Sequence, residues 1–543
     1  MLLTAPACLA ALIALLPLGY LVIVAARADP AVLLAQVVRP RSLMLLASSV
    51  GLAATVTAVS VVLGVGAAWL IERTTLRGRR IWAVLAALPL AIPSYVAAFS
   101  WIALLPDITG FTGAVVVLSL SCFPYVYLPT AAALRRLDPA MEETSRSLGI
   151  GPYATFWRVT LPQLRPAVAA GALLVSLYTL SDFGAVSILR YDTFTRVIFT
   201  SFNASFDRTP AVVLSGMLVL VTAVIVLAEA RTRGRARYAR LGSGAARLAA
   251  RISMKRKTFP AYGALGLLGA ASLGVPLVSM GYWLSVGRSG EFDLPQIVEA
   301  VGGSLLLAGG GAVFTMLLAL PVGLLAARHT GRLPGLLERA TYLGHAVPAI
   351  VVALSLVFFT VRYAFDFYLS VPLVVFAYAV LFLPLAVGAV RASAAQSPPV
   401  FEEVARSLGR APRQVLRTIT LPLAAPGIAA GTALVFLAAM KELTATLVLH
   451  PTGMDTLAIR LWSETSTRSY AAAAPYAALL MLVSVIPTYL LGRDRRRTGD
   501  DLPEATQGHP ATVEPSGQAQ ARDTPWLGSS TYQSSLHAEA VHR

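Results

Sequence analysis

The sequence predicts an all-α integral membrane protein with twelve transmembrane helices in two tandem repeats of six. Three observations predict it. The 543 residues are 56% hydrophobic and only 13% charged, with mean hydropathy +0.70, which is more apolar surface than a soluble core can enclose. Apolar runs long enough to cross about 30 Å of hydrocarbon need about 20 residues, and twelve such runs can be read. One polar stretch is also written twice: EETSRSLGIGPYATFWRVTLPQLRPAVAAG (142–171) and EEVARSLGRAPRQVLRTITLPLAAPGIAAG (402–431) share 14 of 30 residues without a gap, where chance gives roughly two.

The predicted spans lie near 7–26, 44–71, 81–105, 111–134, 167–189, 211–229, 260–285, 303–327, 340–361, 369–390, 427–449 and 473–492. The first lacks the basic start of a signal peptide and has a counterpart at 260–285, so it is counted as a span. With the N-terminus inside, inner loops and tail hold 33 of the 44 Lys and Arg residues and outer loops hold ten, leaving Lys441 within a span. Basic residues are retained on the cytoplasmic side, so both copies of the duplicated loop and both termini are expected there. The domain division is 1–230 for the first repeat, 231–258 for a basic linker, 259–492 for the second repeat and 493–543 for a polar tail. The tail is rich in Pro, Ser, Gly, Gln and Thr, a composition that does not build a core. The linker carries ten basic residues and no acid between 231 and 257; it reads as an inside-retention signal and tether on anionic headgroups.

Duplication extends beyond the loops. Pro124 pairs with Pro384 and Pro139 with Pro399 at the same offset of 260; with small shifts, Ile92-Pro93 matches Val347-Pro348 and Gly64-x-x-Ala67-Ala68 matches Gly323-x-x-Ala326-Ala327. Six spans per half bring the second half in with the first half's orientation, so a pathway between halves related by an axis along the membrane normal is expected.

Residue types dictate the shape of each loop. Glu142 and Glu143 suit a helix N-terminus, and Gly149 suits the left-handed position that ends the helix. Pro152 opens a second helix, and Leu161-Pro162 is expected to break it before the chain re-enters the membrane near Pro166. Glu402, Glu403, Gly409, Pro412, Leu421, Pro422 and Pro426 repeat every mark. The result is a helix-turn-helix able to enter a partner's groove.

These two glutamates, the glycine six residues after the second and Leu-Pro thirteen residues beyond resemble the EAA loop of type I (MetI-like) ABC importer permeases. Both copies match, and the resemblance covers about residues 40–492. It implies that Glu142, Glu143, Arg146, Leu148 and Gly149, with Glu402, Glu403, Arg406, Leu408 and Gly409, form two coupling helices held by cytoplasmic ATPase subunits, in two copies. It also implies an extracytoplasmic substrate-binding protein. The alanines of the family pattern are replaced, the positions reading Glu-Glu-Thr and Glu-Glu-Val. No P-loop is present: the only lysines are Lys255, Lys257 and Lys441, and none follows a glycine. The chain is therefore expected to be no enzyme and to bind no cofactor, ATP being hydrolysed by the partner.

For substrate, SDFGAVSILRYDTFTRVIFTSF (181–202), KELTATLVLHPTGMDTLAIRLW (441–462) and IPSYVAAFSW (92–101) are similar to the fused ferric-iron permeases, though Thr444 stands where that group has proline. Thiamine and aminophosphonate importers share the fused arrangement and are the alternative. Asp182 and Glu442 occupy equivalent places about 24 Å up a helix from Pro166 and Pro426. They either line an outer gate that favours a cation or cap helix ends, with Lys441 screening Glu442.

Other classes fit less well. The charge of +17 is dispersed over loops rather than gathered on a face for nucleic acid. LRGRR (76–80) partly echoes the major facilitator loop, but Ile71, Glu72 and Arg73 stand where that motif needs Gly and Asp. A membrane enzyme would need clustered chemistry in the spans. Cys8 and Cys122 lie in apolar spans and suggest neither a disulfide nor a thiolate site, and His329, His345 and His450 are scattered, so no metal site is expected.

Overall fold

The structure, a computed structural model, describes residues 3–27, 29–138, 140–204, 209–232, 252–254, 258–286, 293–329, 331–345 and 347–497. The first half runs α1 (Thr4–Arg27), α2 (Pro30–Val38), α3 (Pro40–Arg73), α4 (Arg79–Ala87), α5 (Ser94–Leu104), α6 (Gly110–Arg136), α7 (Ala140–Ser147), α8 (Pro152–Thr155), α9 (Leu161–Ser181), α10 (Gly184–Ile188), α11 (Phe194–Ala204) and α12 (Thr209–Thr232). The second runs α13 (Thr258–Gly269), α14 (Val275–Val286), α15 (Leu294–Arg328), α16 (Arg332–His345), α17 (Ala349–Tyr363), α18 (Val371–Gln396), α19 (Val400–Ser407), α20 (Pro412–Val415), α21 (Leu421–Met440), α22 (Thr444–Leu449), α23 (Leu457–Ser466) and α24 (Tyr470–Arg497). Most of the linker and the tail beyond 497 lie outside the described residues, as does Pro139.

Among the described residues nine helices are long and apolar enough to cross a bilayer, two bent pairs could each make one more crossing, and Tyr470–Ser484 is a shorter apolar stretch. The expected third and ninth spans are these bent pairs. Arg79–Ala91 meets Ser94–Leu104 at 95°, and Arg332–Gly344 meets Ala349–Tyr363 at 97°. Proline is the cause. Its ring forces the preceding residue out of helical conformation: Ile92 sits at φ −86, ψ 121, and Pro93 and Pro348 take ψ 144 and 143.

The expected break at Leu161-Pro162 does not occur. Residues 152–181 form one continuous helix of 30 residues, and 412–440 one of 29. A π turn at 156–160 lets Leu161 N–H donate to the Phe156 carbonyl, five residues back, and Leu421 does the same to Leu416. The widened turn seats the proline ring without breaking the ladder. These spans also end earlier than expected, at Ser181 and Met440; the residues beyond fold into α10 and α22.

In each half one triad forms the core: α3, α6 and α9 pack together, and α15, α18 and α21 do likewise. Glycine permits the close approach. A Cβ on Gly171 would lie 2.7 Å from the Val126 Cα, and one on Gly431 2.6 Å from the Ala389 Cβ. First helices cross over between halves: α1 packs on α15, α16 and α17, while α14 packs on α5.

Candidate functional site

Two constellations stand out, the duplicated loops and a cavity between the halves. In the loops, α7 carries Glu142 and Glu143 in its first turn and α19 carries Glu402 and Glu403. Gly149 and Gly409 end them at φ +78 and +80, the left-handed region closed to most side chains. Ile150 N–H reaches back to the Ser145 carbonyl and Gly149 N–H to that of Arg146, at 3.1 and 3.0 Å; Arg410 and Gly409 repeat this on Ala405 and Arg406. This double bond pattern satisfies the last carbonyls of the helix.

The first glutamate of each loop is buried, whereas the second is exposed. Glu142 Oε1 accepts from the Thr160 hydroxyl at 2.8 Å and faces Arg73 Nη2 at 3.1 Å. Glu402 Oε1 accepts from Thr420 at 3.0 Å and faces Arg328 Nε at 2.9 Å. Both arginines stand at ion-pair distance but off hydrogen-bond angle, so the attraction is mainly Coulombic. Arg73 and Arg328 are the last residues of α3 and α15. Each loop is thus tied to the end of the long helix of its own triad, a tie that motif reading missed.

That tie also corrects the alignment. Arg73 and Arg328 lie 255 apart, as do Pro93 and Pro348, whereas matching Gly64 to Gly323 uses 259 and runs one turn out of register. Gly64 packs against Phe123 and Val126, but Gly323 packs against Val387 and Val390.

The loops differ in detail. Arg406 Nη2 closes on Glu402 Oε2 at 3.1 Å, while Arg146 Nε has no hydrogen-bond partner. Ser145 bonds to Thr155 at 3.0 Å where the copy buries Ala405 and Val415. This small buried residue takes up the packing that the missing alanines left open; Thr144 and Val404 face outward. The exposed faces are apolar. Leu148 and Leu408 are 74% and 77% exposed, beside Met141, Tyr153 and Trp157 in one loop and Val400, Phe401 and Val404 in the other.

The cavity, about 570 Å³, is lined by residues of both halves, including Ser94, Tyr95, Tyr125, Tyr178, Asp182, Lys441 and Glu442. Both acids are present, and both cap the short helix that follows. Asp182 Oδ1 accepts from the Ala185 and Val186 amides at 2.9 and 3.4 Å, and Oδ2 accepts from the Ser94 hydroxyl. Glu442 Oε1 accepts from the Ala445 amide at 2.8 Å. Each acid thus both caps a helix and lines the cavity. Lys441 does not pair with Glu442; its Nζ donates to the Leu90 carbonyl at 3.1 Å. Of the three histidines, His450 Nδ1 lies 3.2 Å from the Thr446 and Leu447 carbonyls of its own helix. Cys8 and Cys122 are both free. Among the described residues no three His, Cys, Asp or Glu side chains come together as a metal cage.

Comparison with known proteins places these features. The profile described as "binding-protein-dependent transport system inner membrane component" matches residues 60–233 and 319–497, each match containing one loop. The chain is 42% identical over 459 residues to "Fe(3+)-transport system permease protein FbpB 2" of Haemophilus influenzae, covering 83% of this chain and 90% of that one. It is 23% identical over 396 residues to "Ferric transport system permease protein FbpB" of Actinobacillus pleuropneumoniae, covering 69% and 57%. It is also 31% identical over 141 residues to "Sulfate transport system permease protein CysT" of Escherichia coli, covering 23% and 50%.

Proposed function

Since the chain belongs to the family of binding-protein-dependent transport system inner membrane components, we propose that it is the pore-forming permease of an ABC importer for ferric iron. The 42% identity over most of its length to a Fe(3+)-transport permease carries the choice of cargo. In this reading twelve crossings form two six-helix repeats, the bent pairs and α24 supplying the three crossings beyond the nine long helices. Both termini face the cytoplasm, in the bacterial inner membrane. The chain binds no cofactor and hydrolyses no ATP; two copies of a separate cytoplasmic ATPase supply the energy, and an extracytoplasmic binding protein delivers the cargo.

The geometry supports a lever. Exposed apolar faces on α7 and α19 offer Leu148 and Leu408 to the ATPase, and Glu143 and Glu403 stand free on the same short helices for polar contact. Glu142 and Glu402 point inward instead, where the arginines of α3 and α15 bind them, so a push on either loop moves a whole triad. Arg406, through Glu402, and the two glycines Gly149 and Gly409 keep the loops in shape. The triads flank the cavity, and the pathway runs past Asp182 and Glu442, whose charge favours a cation.

Uptake of labelled ferric iron and labelled thiamine, measured in a strain lacking the chromosomal copy, tests this. Iron enters only when the chain and its ATPase are both supplied, and Asp182→Asn combined with Glu442→Gln abolishes entry. Thiamine uptake instead of iron overturns the cargo, and iron uptake without any ATPase overturns the importer class.

A further inference from the structure

The cavity is not symmetric, and its asymmetry selects particular ligands. At the offset of 255 that the arginine ties establish, Ser94 and Tyr95 of the first half correspond to Ala349 and Ile350 of the second. Asp182 therefore has the Ser94 hydroxyl on one oxygen and two amides on the other. Glu442 has a backbone amide on Oε1 and, with Ala349 opposite, no hydroxyl to take Oε2. Tyr95 is only 3% exposed and lines the cavity, yet its hydroxyl has no hydrogen-bond partner. An enclosed hydroxyl left unmatched is destabilising, so its place on this wall calls for a ligand.

Resting on the ferric reading above, we propose that Glu442 and Tyr95, one from each half, are the oxygen ligands that pass a hard trivalent cation across the cavity. Asp182 is the frame of α10 and stays out of the coordination sphere. Carboxylate and phenol oxygens are what a hard cation selects over nitrogen or sulfur, and coordination displaces the Tyr95 phenol proton to solvent. Two ligands make a staging post rather than a resting site, which suits conduction, where a cation must leave as readily as it enters. Lys441 supports this. It is the sole cation among the lining residues, and its ammonium reduces the lining's net charge from two negatives to one, which shortens the stay.

The test uses the permease with its ATPase in vesicles, ferric iron delivered by the binding protein for uptake, and ferric nitrilotriacetate for spectroscopy. Tyr95→Phe and Glu442→Gln each lower uptake at least tenfold, while the ATPase co-purifies in normal yield and its stimulation by the loaded binding protein persists. The visible absorption of a ferric phenolate forms in the wild type and is missing from Tyr95→Phe. Lys441→Met retains more iron on the washed complex. Wild-type uptake by Tyr95→Phe, or an undiminished absorption band in that variant, overturns this inference and leaves the ferric reading standing; a wild-type complex that carries no iron overturns the ferric reading itself.

Discussion

Replacing Arg73 with methionine removes the cation facing Glu142 while keeping a side chain of similar reach. Both partners are enclosed, with side chains 6% and 10% exposed, so the carboxylate cannot recover solvent without leaving its place. Removing one partner of such a pair costs about 3–5 kcal/mol. The Thr160 hydroxyl still donates to Glu142 at 2.8 Å, which puts the loss near the lower bound, about 3 kcal/mol, or roughly 100-fold in the population of seated α7. The second loop supplies the comparison. After Arg328→Met, Glu402 keeps both Thr420 and Arg406, whose side chain is 56% exposed; an exposed pair contributes up to about 1 kcal/mol, so the loss there is nearer 2 kcal/mol. The assay is iron uptake and ATP hydrolysis by the reconstituted complex. Arg73→Met loses transport while hydrolysis continues uncoupled, Arg328→Met loses less, and Arg73→Met with Glu142→Gln recovers part because no buried charge is left unmatched. Full transport by Arg73→Met, or a double variant no better than the single, refutes the lever.

Valine at both Gly149 and Gly409 costs about 1–2 kcal/mol at each left-handed position and lowers both ATPase co-purification and uptake. Leucine at Gly171 drives α6 from α9 and lowers the thermal midpoint of the detergent-solubilised chain, whereas leucine at Gly216, which has open space around it, leaves the midpoint unchanged. Truncation after residue 497 leaves uptake intact, because a tail of that composition has no core to contribute. The purified chain without partners is expected to hydrolyse no ATP, and measurable turnover would overturn the assignment of hydrolysis to a separate ATPase.

Composition and periodicity made the helical fold legible, because hydrocarbon demands long apolar runs. The loops were legible because glycine and proline leave few alternatives at a helix end: Gly149 adopts the left-handed conformation its position asked for, and Pro152 opens α8. Two readings missed how proline acts through its neighbours. Pro93 bends a span that hydropathy sees as continuous, and Pro162 spares one because a π turn, invisible in composition, absorbs it. The Arg73 tie escaped because matching Gly64 with Gly323 puts Trp69 opposite Arg328 and Arg73 opposite Arg332. The arginines' common task, each holding a glutamate 260 residues from the other's, agrees with the offset of Pro93 and Pro348 and fixes the register.

That register separates what the halves share from what they do not. Arginine at the end of the long helix, buried glutamate, threonine one helix later and positive-φ glycine occur in both, which fits the proposed pair of ATPases moving two triads alike. In the cavity the same comparison sets Ser94 against Ala349, Tyr95 against Ile350 and, at the 260 offset, Ser181 against Lys441. A cation has one path and meets both walls at once, so nothing requires equivalent walls; one can hold an acid in a hydrogen-bonded frame while the other leaves its acid open. Ser94→Ala with Ala349→Ser, together with Tyr95→Ile and Ile350→Tyr, would therefore exchange the roles of Glu442 and Asp182 without disturbing the loops. ATP hydrolysis stimulated by the binding protein should survive this exchange, while the sensitivity of iron uptake moves from Glu442→Gln to Asp182→Asn. If sensitivity stays with Glu442, its place in the second half rather than its open oxygen decides its role.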